Sequence, residues 1–322
     1  MSYLLQNLLL KKNKMEIELA IIIPTYKGLF FKQTLDSLVN QSNKNFNLYI
    51  GDDNSPDNIE QIVAEYTDKL NIIYHKFPNN IGGKKLVNQW NRCVHLMKNE
   101  KWIWLFSDDD LADFNCVETF FNTIDKDAEK YDVYRFNTRV INDSNVIIGE
   151  HESPFEENAY NMCIDILQLK RGHCMPDHIF RKSTYDELGG FVFTNYAQAA
   201  DWATSINFAT KKGICSMRNA KISWRYGSSN ISGTADKNNH EKVLGHIQFI
   251  KWILKHFKNK INPIEYKNLQ QQSYNNLVRL IKIHYKGIGL NTFIPVFKIL
   301  LVNNKNVPKS FYDTLKLIKI KK

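Results

Sequence analysis

Alternating blocks of apolar and turn-forming residues mark out the first hundred positions. Glu18-Leu19-Ala20-Ile21-Ile22-Ile23 is a β-branched run closed by Pro24, which predicts a strand buried on both faces. Leu29 to Gln41 carries Phe31, Leu35 and Leu38 at helical spacing. Further strands are predicted at Phe46–Ile50, Asn71–His75 and Lys101–Phe106. Helices are predicted at Asn58–Tyr66 and Lys84–Met97. This alternation implies a doubly wound, mostly parallel α/β sheet with right-handed crossovers.

Beyond it the rhythm weakens. Tyr131 to Ile148 is strand-like with a turn at Asn142-Asp143. Residues 151–180 read as irregular, apart from a short helix near Tyr160–Leu169. Helices are predicted at Ser183–Leu188, stopped by Gly189-Gly190, and at Gln198–Lys211, followed by a last strand at Lys221–Tyr226. After about Asp236 the chain is helical, with Val243, Ile247, Ile250, Leu254 and Phe257 along one face. The expected division is an extension at 1–16, a catalytic body at 17–235 with halves 17–110 and 111–235, and a C-terminal helical extension at 236–322.

Composition narrows the class. With 322 residues and 43% hydrophobic content, the chain can bury a substantial core. Its five scattered cysteines form no CxxC pair, which points to reduced thiols rather than a disulfide frame or a zinc site. The apolar start, Met1–Leu10, precedes its lysines instead of following them, the reverse of a secretory signal, and Met15 is an alternative start. The expected location is cytoplasmic, or peripheral on the inner membrane face.

Net charge is +10, unevenly placed. Residues 236–322 hold 17 Lys and Arg against 4 Asp and Glu, whereas the remainder holds 26 against 29. A basic tail suggests an anionic partner. No nucleic-acid motif is present, and the tail's amphipathic faces favour an anionic lipid surface. Ile318, Ile320 and the lysines at 316, 319, 321 and 322 suit an interfacial helix. The alternative is a set of helices packed on the body or in a homodimer.

The chemistry gathers at strand ends. Trp102-Ile103-Trp104-Leu105-Phe106 runs directly into Ser107-Asp108-Asp109-Asp110. Three adjacent carboxylates are costly to bury unpaired, and an oxygen-only cluster suits Mg²⁺ or Mn²⁺, which in turn suit phosphate. A solvated acidic turn is the plainer reading. Pro24-Thr25-Tyr26 and Gly51-Asp52-Asp53-Asn54 end two other strands. In such sheets ligands bind at the carboxyl ends.

These pieces, with Asn80-Ile81-Gly82-Gly83 and Asn88, Gly189-Gly190-Phe191 and Ala200-Asp201-Trp202, resemble in order and spacing the family 2 glycosyltransferases. These are inverting enzymes of the glycosyltransferase A type, the nucleotide-diphospho-sugar transferase fold. The resemblance covers roughly residues 17–235. It implies a nucleotide-sugar donor, a divalent metal (Mn²⁺ or Mg²⁺) and inversion at the anomeric carbon. It carries Pro24, Thr25 and Tyr26 to the donor's base and ribose, and Asp52 to the base N–H. For Tyr26 a plain loop aromatic is the competing reading, and for Asp53 or Asn54 a turn cap. Asp108 to Asp110 match the DxD-type motif, with Asp109 or Asp110 on the metal and Asp108 on the sugar or ribose. Arg225 is a candidate diphosphate contact, and Lys84, Lys85 and Arg181 are candidates to meet phosphate or an acidic acceptor, with a solvated basic residue the plainer reading of Lys84. Asp201 matches the second acid of the family's pair and is the proposed base, or else a helix N-cap.

Two departures stand out. Ala200 replaces the first acid of the pair, and Trp224-Arg225-Tyr226-Gly227-Ser228-Ser229-Asn230 lacks the histidine often found there. His173, Asp177 and His178 read as shaping the sugar pocket rather than as a metal site, for want of a further ligand. No QxxRW box follows Asp201, which points to single-sugar transfer. The expected reaction moves one sugar, favoured to be uridine-diphosphate-linked, to a hydroxyl of a glycan or lipid-linked acceptor in surface polysaccharide assembly. The rivals are a sugar nucleotidyltransferase, whose Gly-rich loop Pro24–Gly28 is too short to form, and a catalytically dead sugar-nucleotide-binding protein. No GxGxxG follows Ile23, which disfavours a dinucleotide dehydrogenase.

Overall fold

The computed structural model describes residues 17–227, 238–283 and 287–318. Strands β1 (Leu19–Thr25), β2 (Phe46–Asp52), β3 (Ile72–Lys76) and β4 (Trp102–Leu105) alternate with helices α1 (Phe31–Val39), α2 (Ile59–Ala64) and α3 (Gly82–Val94). All neighbouring pairs among these strands are parallel, in the spatial order β3-β2-β1-β4. Side chains on β1 alternate between the faces. Ala20 and Ile22 join one apolar core, while Leu19, Ile21 and Ile23 join the other. The unbroken apolar run is therefore a consequence of helices on both sides.

The second half is mixed. After β5 (Leu111–Ala112) and α4 (Cys116–Asp127) come β6 (Val133–Ile141), β7 (Ile147–His151), β8 (Glu156–Glu157) and α5 (Ala159–Leu167). Then follow β9 (His178–Arg181), α6 (Lys182–Glu187), α7 (Ala200–Ala209) and β10 (Ile214–Arg225). The sheet continues β4-β9-β6-β10-β5. Strand β9 lies antiparallel to both β4 and β6 at the sheet's centre, inside the stretch read as irregular. Its sequence, His-Ile-Phe-Arg, is too short and too polar at its ends to show a period. The indole of Trp104 on β4 donates to the Pro176 carbonyl at 2.7 Å, which pins the turn that introduces β9.

Helices α8 (Asn239–Phe257), α9 (Pro263–Ile283), α10 (Leu290–Asn304) and α11 (Val307–Leu315) make up the basic C-terminal region. Val243, Ile250, Leu277 and Leu300 belong to the same core as Ala203 and Ile206 of α7. These helices thus extend one face of the sheet. Leu290, Ile294, Val302, Phe311 and Leu315 remain exposed on α10 and α11. No helix among the described residues is long and apolar enough to cross a membrane. Residues 1–16, Ser228 to Asn230 and the last lysines of the expected interfacial helix lie outside the described residues.

Candidate active site

The carboxyl ends of β1, β2 and β4 meet as the pattern predicts. Asp108 binds β4 to β1. Its Oδ2 accepts from the main-chain N–H of Tyr26 at 2.8 Å and of Lys27 at 2.9 Å, and from the Thr25 hydroxyl at 3.3 Å. Burial pushes the Asp108 carboxyl up, and these donors pull against it. Thr25 is buried, whereas the Tyr26 ring is 41% exposed beside the acidic loop, free to meet a flat base.

Asp110 lies deeper. Its Oδ1 accepts from the Arg225 main-chain N–H at 2.8 Å. Its carbonyl accepts from Thr34 at 2.9 Å. Its Oδ2 is buried and without a hydrogen-bond partner. Burial first, then the neighbouring Asp109, holds the Asp110 carboxyl well above the usual carboxylate range. Asp109, more accessible, is pushed to about 7 by burial and by Asp108. Two desolvated carboxylates side by side, one with an orphaned oxygen, fit a hard divalent cation that would supply the missing charge.

Arg225 corrects one expectation. Its side chain is fully buried, with Nε donating to the Asp109 carbonyl at 2.8 Å, Nη1 to the Asn142 carbonyl at 3.0 Å and Nη2 to Gln33 at 3.1 Å. It also lies over the Phe30 ring at 4.0 Å. The guanidinium braces the acidic loop from behind and is not presented to a diphosphate. Arg181 is likewise engaged with Asp132 and Glu129. Lys27, not singled out from sequence, supplies positive charge beside Asp108 and Asp109. Its signal was its place directly after Thr25-Tyr26.

The β2 end also differs in detail. Asp52, rather than Asp53 or Asn54, closes the turn. Its Oδ1 accepts from the Ser55 N–H and its Oδ2 from the Tyr74 hydroxyl, both at 2.7 Å. It is fully buried, with the Lys76 ammonium 3.9 Å from Oδ2. Asp53 is a clamp for the neighbouring loop, not a donor contact. It accepts from the Ile81 N–H at 2.9 Å and the Gly82 N–H at 2.7 Å, and pairs with Arg92. A Cβ at Gly82 would stand 2.5 Å from the Asp53 carboxylate, so only glycine allows this approach. Asn80, Lys85 and Asn88 are exposed along this loop and the first turns of α3. The structure brings them beside the β2 end but shows no contact to the acidic loop.

Asp201 stands in the first turn of α7, behind a strained entry. Tyr196, Ala197 and Ala199 hold φ of 53°, 52° and 57°, a left-handed run without glycine. Helix α8 clamps this entry: Gln248 accepts from the Asn195 N–H at 2.8 Å, and Glu241 from its amide at 2.9 Å. Trp202 packs edge-on against His246 and Phe249 of α8. Burial, chiefly, pushes Asp201 to about 7, the N–H of Trp202 opposing and Asp177 adding to it. The acidic loop and Asp201 lie in one neighbourhood, on either side of Cys174 in charge if not in contact. Cys174 feels the charge of both Asp110 and Asp201.

A family model, Glycosyl transferase family 2, matches residues 20–189, from β1 through α6 and across the whole acidic loop. The chain belongs to glycosyltransferase family 2. Asp201 lies beyond the matched span. An uncharacterized glycosyltransferase of Rickettsia typhi is 33% identical over 118 residues, and one of Rickettsia prowazekii is 31% identical over the same length. Each match covers 36% of this chain and 35% of the relative. Among solved structures, S. aureus TarS 1-349 in complex with UDP-GlcNAc superposes with a TM-score of 0.68 at 16% identity, covering 91% of this chain and 83% of that one. A mannosyltransferase, PcManGT, from Pyrobaculum calidifontis in complex with GDP-Man and Mn²⁺ gives 0.53 at 11% identity, covering 93% and 84%. At these identities the likeness establishes the glycosyltransferase A type fold.

Proposed function

We propose that this family 2 glycosyltransferase is a metal-dependent, inverting enzyme that moves a single sugar from a uridine-diphosphate donor to a hydroxyl of a glycan or lipid-linked acceptor. The observation that carries this reading is a desolvated acidic loop and a desolvated lone carboxylate, both near enough to Cys174 for their charge to act on it. Asp109 and Asp110 would hold Mn²⁺ or Mg²⁺, which neutralises charge growing on the departing diphosphate. Tyr26 stacks on the base, and the β1 loop that Asp108 fixes sets the height of that stack. S. aureus TarS 1-349, of the same fold, is in complex with UDP-GlcNAc and with UDP, which supports a uridine donor for this chain.

Asp201 accepts the acceptor hydroxyl's proton as the oxygen attacks the anomeric carbon. The bond from that carbon to the diphosphate breaks, and the electron pair leaves with the nucleotide. A carboxylate at about 7 is a far stronger base than an ordinary one, which suits the task. Ala200, the departure from the usual acidic pair, is fully buried, so a single acid serves the cleft. Exposed Ile294, Phe311 and Leu315 among exposed Lys298, Lys305, Lys309 and Lys316 support a peripheral contact with anionic lipid, near a lipid-linked acceptor in surface polysaccharide assembly.

The test is proton NMR of sugar transferred, or released to water, from an α-linked uridine-diphosphate sugar. A β-configured product that vanishes in Asp201→Asn, with donor binding retained, supports the reading. An α-configured product, or full turnover by Asp201→Asn, rejects it.

A further inference from the structure

Behind Asp201 lies a second cluster that donor chemistry does not use. One ligand atom from each of His173, Asp177 and His178 lies within 4.8 Å of the others. Asp177 and His178 are buried to 1% and 0% exposure. Nε2 of His178 and Oδ1 of Asp177 are buried without a hydrogen-bond partner, and the ring nitrogens of His173 are buried beside the Asp201 main chain. The two rings lie 4.3 Å apart, and the Asp177 carboxylate abuts Nδ1 of the His178 ring. Nδ1 of His178 faces the Cys174 carbonyl at 3.1 Å, an anchor that orients the ring and leaves Nε2 for another partner. Buried imidazole nitrogens without partners are costly, and each neutral ring offers one lone pair, so two such rings beside a buried carboxylate call for a shared acceptor.

We propose that His173, Asp177 and His178 form a second, zinc-class cation site, distinct from the oxygen-only site of Asp109 and Asp110. Two imidazoles and one carboxylate suit Zn²⁺ or Co²⁺ and discriminate against Mg²⁺. The surrounding charge permits it. Arg135 and Arg171 lie nearby, but Glu157 lies between them, 2.7 Å from Arg135 and 2.5 Å from Arg171. The turn at Met175–Asp177, pinned by Trp104, sets two of the three ligands at the head of β9. Asp177 is close enough to raise the Asp201 carboxyl, so an ion here would also steady the wall that carries the base.

Titration of metal-free protein with Co²⁺ in excess Mg²⁺ tests this, because Mg²⁺ fills the oxygen site and Co²⁺ on imidazole absorbs in the visible. The expected result is one equivalent bound with a visible band. Affinity should fall at least ~100-fold in His173→Asn and in Asp177→Asn, and stay unchanged in Asp110→Asn. No uptake by the wild-type protein, uptake unaltered in both His173→Asn and Asp177→Asn, or loss in Asp110→Asn would each overturn the proposal. Melting curves of the two variants, read beside the titration, show that each is folded. Sugar transfer is not part of the readout, so the outcome is independent of the reading of Asp201.

Discussion

Arg225 reaches Asp110 across 115 residues of sequence, its main-chain N–H 2.8 Å from the carboxylate Oδ1, while its Nε holds the Asp109 carbonyl at 2.8 Å. One residue at the end of β10 thus fixes both acids at the end of β4. Lysine keeps the charge but not the planar fork, and leaves at least two of the three carbonyl or amide partners without this donor. Arg225→Lys should therefore lose about 1–3 kcal/mol of stability in urea unfolding. It should also need more Mn²⁺ for half-maximal activity. A variant with unchanged Mn²⁺ dependence would show that the brace does not shape the metal loop.

Asp108 makes a different kind of contact, accepting two main-chain N–H groups from the Tyr26–Lys27 loop. Asp108→Asn keeps the shape but loses the charge on those bonds. A stability loss of about 1.5–3 kcal/mol is expected, with a raised KM for donor as the Tyr26 loop loosens. Equilibrium unfolding and donor kinetics measure both.

The pH dependence has a definite sign. Asp201 is raised from its ordinary 3.8 to about 7 in the folded protein. Between those values the folded protein keeps a proton that the unfolded chain releases, so this group's stabilising contribution, full below the unfolded value, is lost as pH rises through about 7. Asp201→Asn should flatten that slope in unfolding experiments run across the window. Activity runs the other way, because the base must be ionised: kcat/KM should rise with pH and level off above about 7.

Gly245 of α8 sits where a Cβ would collide with the Asn195 carbonyl, at the strained entry to α7. Gly245→Ala should cost about 1–3 kcal/mol. It should lower kcat with little change in donor KM, because it displaces the base rather than the donor loop. Steady-state kinetics separate these. A change in donor KM alone would sever the C-terminal helices from the chemistry.

Much of this site was legible in the sequence because parallel sheets place ligands at strand ends, and strand ends are where apolar runs meet polar clusters. The β1 and β4 ends followed from that rule, as did the gathering of Asp108 to Asp110 beside Tyr26. The division of labour among carboxylates did not. Asp53 and Arg225 look like ligands by type, but their side chains are held by main-chain groups 28 and 116 residues away, beyond any local pattern. Strand β9 was hidden for a related reason. His178 and Arg181 are tolerated at the sheet's centre through partners outside the strand, the nearby Cys174 carbonyl for one and the distant Asp132 with Glu129 for the other. The tail's period was visible, whereas its role in clamping the loop before Asp201 depends on Gly245 and Gln248, which carry no chemical signature.

The most direct measurement is calorimetric titration of UDP into wild-type protein and Asp110→Asn, each with Mn²⁺ and with chelator. The wild-type protein should bind UDP at least ~10-fold more tightly with Mn²⁺, a difference of about 1.4 kcal/mol, and Asp110→Asn should lose that gain while staying folded. Equal binding in Mn²⁺ and chelator, or an undiminished Mn²⁺ effect in Asp110→Asn, would contradict a cation held by the acidic loop.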